Sequence, residues 1–305
     1  MRIGINGSSQ TVLGVSIDDI AAHAAAVESD GFGSYWINQS IGSPDALTAL
    51  AIVGRATSTI ELGTAVVPTF PRHPLALATQ ALTTQEIIGN RLTLGLGLAH
   101  KEPVERTLKV PFERPAQHME EYLNVLLPML DERKVAFEGD IWSGEFEGFA
   151  GLTSARAPHV LLAAMGPRML ELAATRTDGS ILWLAGPPTI DSHVRPALEA
   201  ARPTAMGDPR IVASMPICVT NRVDEVTGMI DGLLEGYNDL PSYRAVMDRD
   251  GSAGPADASV VGDEATVLAE IQRFADAGCT DFCPVEFAVS EEEGAATRAL
   301  LKSLL

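Results

Sequence analysis

The chain has 305 residues, 46% of them apolar, and sets 22 Lys and Arg against 40 Asp and Glu, a net charge of −18. A nucleic-acid binder needs a basic face to displace counterions, and an anionic membrane surface demands the same, so neither partner fits this balance. No run of 18 apolar residues offers a membrane span.

The amino terminus, Met1-Arg2-Ile3-Gly4-Ile5-Asn6-Gly7, runs straight into a short strand and lacks the apolar core and cleavage site of a signal peptide. Strand-like Arg2 to Asn6 is followed by Ile17, Ile20, Ala21, Ala24 and Val27 at helical spacing, with Asp30-Gly31 as the expected stop. Ser34 to Ile37 is the next apolar run, and Ser43-Pro44 is the expected start of a helix. Ile60 to Val67 reads as a strand, Pro74 to Ile88 as a helix and Arg91 to Leu98 as a strand. Met119, Leu123, Leu126, Leu127 and Leu130 then form an apolar helical stripe.

Four further strands follow, His159 to Ala163, Gly179 to Leu184, Ile211 to Thr220 and Asp281 to Phe287. Helices start near Pro167, Pro188, Val223 and Asp263, and a last one runs from Glu291 to Leu304. Eight near-continuously apolar strands alternating with helices imply parallel strands covered on both faces, and the count favours a closed (β/α)8 TIM barrel. Lys134 to Gly151 reads as a hairpin excursion and Asn238 to Val261 as a long polar loop, both expected as insertions at the C-terminal face. No linker-like shift divides the chain, so one domain is expected over 1–305. Cys218, Cys279 and Cys283 include no Cys-x-x-Cys pair, which predicts buried thiols in a reducing cytoplasm rather than a disulfide or zinc site.

The segments able to carry chemistry lie at strand ends. Gly95-Leu96-Gly97 leaves bare backbone where a strand opens into a loop, but His100 stands where a dinucleotide fingerprint needs glycine and Pro103 interrupts the helix. Ala163-Ala164-Met165-Gly166-Pro167-Arg168 joins a strand to a helix whose first N–H groups would attract a phosphate; the same residues serve equally as an ordinary turn. Trp36, Asn38, Gln39 and Ser40 end the second strand with polar groups suited either to a turn or to a heterocycle's edge. None of the six histidines forms a His-x-His or His-Glu-x-x-His ligand set, so no metal is expected. There is no Gly-x-Ser-x-Gly elbow.

Taken in order, Gly31-Phe32-x-Ser34-x-Trp36, Ile60 to Pro68, Pro71-Arg72-His73-Pro74, Asn90 to Gly97 and Ala163-Ala164-x-Gly166-Pro167-Arg168 resemble the luciferase-like monooxygenase superfamily. The match is nearest to its actinobacterial branch of oxidoreductases that use coenzyme F420, a deazaflavin. The resemblance implies a barrel holding the deazaflavin, or FMN as the alternative, at the carboxyl ends of its strands. It implies a non-proline cis peptide at Ala65–Val66, or one residue either side, behind the ring. Thr64, Ala65, Val66 and Gln39 would border the ring, Gly97 and Leu98 would lie beside it, and Ala164, Met165, Gly166, Pro167 and Arg168 would hold the phosphate, with Lys101 and Arg72 adding positive charge.

Sugar-phosphate dehydrogenases of the family carry Asp-His where this chain has Gln39-Ser40, and a Glu acid where it has His100. The resemblance therefore points to a reductase acting on a small organic substrate, with His100 as proton donor assisted by Gln39 or Ser40. A flavin monooxygenase and a non-catalytic flavin-binding protein are the rival readings. A homodimer is expected from relatives of this type and from the apolar helix Leu75 to Ile88.

Overall fold

Short runs of β-branched and aliphatic residues, buried on both faces, form the frame of the molecule. The computed structural model describes residues 1–12, 14–148 and 151–305. Its strands are β1 (Arg2–Ile3 and Ile5–Asn6, either side of Gly4), β2 (Ser34–Ile37), β3 (Glu61–Thr64, resumed at Val67–Pro68) and β4 (Leu92–Gly97). They continue as β5 (His159–Leu162), β6 (Gly179–Trp183), β7 (Arg210–Ser214, resumed at Pro216–Val219) and β8 (Asp281–Phe282, resumed at Val285–Glu286). All pair in parallel, with registers such as Tyr35 to Leu62, Leu94 to Val160 and Ile181 to Val212. β1 closes the ring, pairing Arg2 with Asp281 on one side and Ile5 with Tyr35 on the other. The fold is the expected (β/α)8 barrel.

The helices are α1 (Ile17–Ser29), α2 (Ala46–Ala56), α3 (Pro74–Ile87), α4 (Pro115–Asp131) and α5 (Pro167–Arg176). After them come α6 (Arg195–Ala201), α7 (Val223–Leu234), α8 (Pro241–Asp250), α9 (Glu264–Asp276) and α10 (Glu291–Lys302). α1 buries Ile20, Ala21, Ala24 and Val27 and stops at Asp30, after which Gly31 takes φ +96°. The start of α2 differs from expectation. Asp45, not Ser43, caps it by accepting from the Thr48 N–H, while the Ser43 hydroxyl closes the preceding turn on Ser40. A carboxylate accepts the first free N–H groups of a helix at least as well as a hydroxyl.

The insertions also depart in detail. Lys134 to Gly151 carries the antiparallel hairpin Val135–Phe137 with Gly144–Phe146, and its residues 149–150 lie outside the described residues. It follows α4 and so is rooted at the amino end of the barrel, but its tip climbs the outside of α4 to Glu121, whose carboxylate accepts the N–H groups of Ile141 and Trp142. Asn238 to Val261 is not a loop: it contains α8, stopped by Gly251 at φ +76°, and the start of a strand, Val260–Gly262, which extends the β7 edge beside Pro216–Val219. α8 buries only Val246 and Met247. That leaves too little apolar periodicity to announce a helix.

Inside the barrel the layers are distinct. At the amino end, Arg2 and Arg210 bridge Glu61 and Asp281, at 2.5 to 2.9 Å, and the Thr93 hydroxyl donates to Glu61. Above this floor the Arg210 guanidinium lies 5.8 Å from the Trp36 ring centre. Trp36, Leu161, Ile181, Val212 and Cys283 fill the middle, and Ala65 and Val66 sit on them, part-exposed. All three cysteines are free and buried. Among the described residues no helix is long and apolar enough to cross a membrane.

Candidate functional site

At the carboxyl end the barrel is sealed below and open above. The Ala65–Val66 peptide is cis, the bond at which the sequence resemblance placed one. It interrupts β3: the Ala65 N–H donates to the Ile37 carbonyl, and the Gln39 N–H to that of Val66, at 3.3 Å, tying the ends of β2 and β3 together. On the other side Gly97 lies against Val66 and Ala163. A Cβ on Gly97 would come within 2.6 Å of Val66 Cγ2 and 3.4 Å of Ala163 Cβ, so only a bare backbone fits between them. The Ala163 N–H donates to Leu96 and the Thr69 N–H to Gly97. Gln39, Ala65, Val66, Gly97 and Ala163 are thus contiguous, a shelf of small side chains and backbone. Leu98 and Met165 flank it, part-exposed and packed on the main core.

Several sequence-predicted residues have other tasks. Thr64 is fully buried, and its hydroxyl both donates to the Gly95 carbonyl and accepts the Gly95 N–H, which leaves no side-chain atom for a ligand. Gln39 uses Oε1 to accept the first N–H of α2, from Ala46, while its Nε2 has no partner among the described residues. Ser40 is exposed. Ala164 is buried, with its carbonyl on the Ser180 hydroxyl. The Met165 carbonyl accepts from His193 Nε2 at 2.8 Å, a brace that nothing in the local sequence indicates.

Gly166 opens α5 with Pro167 in its first turn, and a Cβ at 166 would meet open space. The Arg168 and Met169 N–H groups at the head of α5 have no acceptor among the described residues. Arg168 itself is exposed, and its guanidinium is held by Glu171 at 2.7 Å and Glu120 at 2.9 Å. The other cations expected near a phosphate are also engaged: Arg72 pairs with Asp45, and Lys101 lies 4.0 Å from Glu105. The concentrated positive patch inferred from sequence is replaced by bare N–H groups beside compensated charges.

His100 stands apart from the shelf, at the head of the short helical turn Lys101–Pro103. Its ring is edge-on to Tyr237 and Tyr243, with centroids 6.1 and 5.7 Å away. Burial lowers its pKa, so the imidazole is neutral at neutral pH. Trp183, at the end of β6, meets Tyr237 at 6.4 Å. Neither tyrosine nor Trp183 was recognisable in advance, since their partners lie more than fifty residues away along the chain or in a segment that reads as a loop.

Comparison with known proteins adds to this geometry. Over 193 residues the chain is 28% identical to a 5,10-methylenetetrahydromethanopterin reductase of Methanolobus tindarius, an alignment covering 63% of this chain and 58% of that protein. Over 172 residues it is 33% identical to a putative coenzyme F420-dependent oxidoreductase of Mycobacterium tuberculosis, covering 52% and 48%. The chain thus spans about half the length of the curated relatives it matches. Among solved structures, an F420-dependent secondary alcohol dehydrogenase in complex with an F420–acetone adduct superposes with a TM-score of 0.78 at 17% identity, covering 100% of this chain and 98% of that one. The family model for luciferase-like monooxygenases matches residues 2–281, and the chain belongs to that family.

Proposed function

We propose that the protein is an oxidoreductase that binds the deazaflavin coenzyme F420 at this mouth and transfers a hydride between it and a small organic substrate, most readily as a reductase. The observation that carries the reading is the shelf of Gln39, Ala65, Val66, Gly97 and Ala163, closed beneath by Trp36 and its neighbours and open above, next to the unpaired N–H groups of α5. A flat tricyclic ring fits small side chains and bare backbone, and a phosphate fits the head of a helix. The F420-dependent proteins among the relatives support the same choice.

A deazaflavin held here supplies a two-electron hydride donor and acceptor. The chain's own residues do the rest. Ala65 and Val66 back the ring, Gly97 and Leu98 border it, and the backbone of Gly166, Arg168 and Met169 takes the phosphate. Gln39 and Ser40 carry no group that exchanges a proton near neutral pH, which favours the direction in which substrate receives hydride. His100, neutral and open to the mouth, offers a ring N–H to the reacting group.

Titration of the purified full-length protein with F420 and with FMN, each oxidised and reduced, tests the reading. F420 is expected to bind at least tenfold more tightly than FMN. Tight FMN binding with oxygen-dependent turnover would instead make the protein a flavin monooxygenase, and cofactor binding without turnover on any substrate would make it a binding protein. Two variants locate the phosphate. Arg168→Ala leaves Glu120 and Glu171 uncompensated and should weaken F420 binding about tenfold at low salt, less at high salt as the charges are screened. Glu171→Gln releases one arm of the Arg168 fork and should tighten binding about threefold. If both leave affinity unchanged, the phosphate lies elsewhere on the rim.

A further inference from the structure

Four side chains without a task on the cofactor shelf meet above the mouth. Trp183 ends β6, His100 follows β4, and Tyr237 and Tyr243 come from the insertion between β7 and α9. Tyr237 and Tyr243 pack edge to face with centroids 4.7 Å apart and planes at 84°, and His100 and Trp183 meet the pair at steep angles. The insertion is held in place independently of these rings: the Asp250 carboxylate, at the end of α8, accepts the N–H groups of Gly186 and Thr189 at 2.7 and 2.8 Å. The wall is therefore built on an anchored element.

Its polar atoms are poorly matched among the described residues. The Trp183 indole N–H is buried with no aligned acceptor, although the Tyr237 side chain lies close enough to feel it. The side chains of His100 and Tyr243 make no hydrogen bond within the described chain. Buried polar groups are almost always hydrogen-bonded, so the unmatched Trp183 N–H, beside the half-exposed and unpaired side chains of His100 and Tyr243 at a barrel mouth, marks where something else supplies the partner. Burial raises both tyrosine hydroxyls and lowers His100, so at neutral pH the wall presents uncharged N–H and O–H donors over aromatic faces. The basic residues that follow His100 give an anion little help, since Lys101 and Arg106 are paired with Glu105 and Glu102.

We propose that this wall is the substrate subsite and that it selects a neutral, flat, conjugated carbonyl compound, packed on Tyr237 and Tyr243, whose oxygen accepts from the Trp183 indole N–H and a tyrosine hydroxyl. Calling the ligand a substrate rests on the deazaflavin reading above; the recognition itself does not. A sugar phosphate or other anion finds no matching charge, and an ammonium cation would leave the N–H and O–H donors unmatched.

Calorimetric titration of the full-length protein, with and without saturating F420, uses a matched set of probes: acetophenone, ethylbenzene, benzoate and benzyltrimethylammonium. Acetophenone is expected to bind about fivefold more tightly than ethylbenzene and at least tenfold more tightly than either ion. Trp183→Phe and Tyr243→Phe keep the rings and remove one donor each. Each should weaken acetophenone three- to tenfold, about one hydrogen bond, and leave ethylbenzene and F420 affinities unchanged. Tighter binding of either ion, no binding of any probe, or variants that alter only thermal stability would overturn the proposal and leave the rings as a fastening for the insertion. Donor-sensitive acetophenone binding in a protein that fails to bind F420 would overturn the cofactor reading alone.

Discussion

Thr64 shows how one side chain can hold a site without touching a ligand. Its hydroxyl satisfies both the N–H and the carbonyl of Gly95 on the neighbouring strand, at 2.9 and 2.8 Å, where β3 breaks at Ala65. A Cβ at 95 would run into the Thr64 carbonyl, so the two strands approach too closely there for any other residue. Thr64→Val keeps the shape and strands two buried backbone groups, each costing about 1–3 kcal/mol when unmatched. The expected result is a loss of about 2–4 kcal/mol in urea unfolding, with cofactor affinity in the folded fraction falling only slightly. A larger effect on affinity than on stability would return Thr64 to the ligand shell. Gly95 and Gly97 were visible in the sequence as bare backbone, but their separate roles were not: one admits a strand, the other clears the mouth, and only the positions of Thr64, Val66 and Ala163 distinguish them.

At the scale of elements, the strands were legible because a parallel barrel buries both faces of each, leaving continuous apolar runs such as Leu92 to Leu96. Ion pairs between elements were not. Arg168 and Glu120 lie 48 positions apart, and Arg2 meets Asp281 across 279. The barrel floor built from such pairs has a definite pH signature. Burial opposes ionisation of Asp281 and Glu61, but Arg210 and Arg2 outweigh it and hold both carboxyls below their ordinary range. Glu28 behaves likewise: burial is outweighed by the Thr59, Ile60 and Ser58 N–H groups, and its pKa falls to about 2. A carboxyl depressed in the folded state contributes stability above its unfolded pKa, near 4, and that contribution is lost as pH falls towards the folded value. The floor's contribution should therefore be flat from neutrality to about pH 5 and decline below, added to an earlier loss as pH falls through about 6.5, where His23, His100 and His118, held neutral by burial, resist protonation. Asp281→Asn, which leaves the half-buried Arg210 and the exposed Arg2 short of a carboxylate, should cost about 2–4 kcal/mol at pH 7 and flatten the decline below pH 5. Unfolding curves at pH 7, 5 and 4 check both, and a variant with the parent's pH slope would show that the floor does not set it.

The whole molecule carries a net charge of −18, and the local chemistry at the mouth is uncharged donors rather than a positive funnel, so the acidic surplus belongs to the outer surface. That surplus bears on assembly. α2 and α3 pack side by side, and each leaves a large aliphatic side chain in solvent, Ile52 at 46% and Ile87 at 42% exposure. Adjacent helices with isolated apolar positions suit a two-fold interface, in which the same patch meets itself. We propose a homodimer through this face. Two copies of charge −18 repel, and the repulsion reaches about 10 Å at 0.1 M salt but only about 3 Å at 1 M. The dimer should therefore tighten with salt, the reverse of an interface held by ion pairs. Light scattering is expected to give about twice the 32.3 kDa chain mass, with the dissociation constant falling as salt rises. Ile52→Asp and Ile87→Asp each place a further carboxylate at the proposed seam and should yield monomers that remain folded. A monomer mass at every concentration and salt would remove the dimer. A dimer indifferent to both substitutions would move its interface away from α2 and α3.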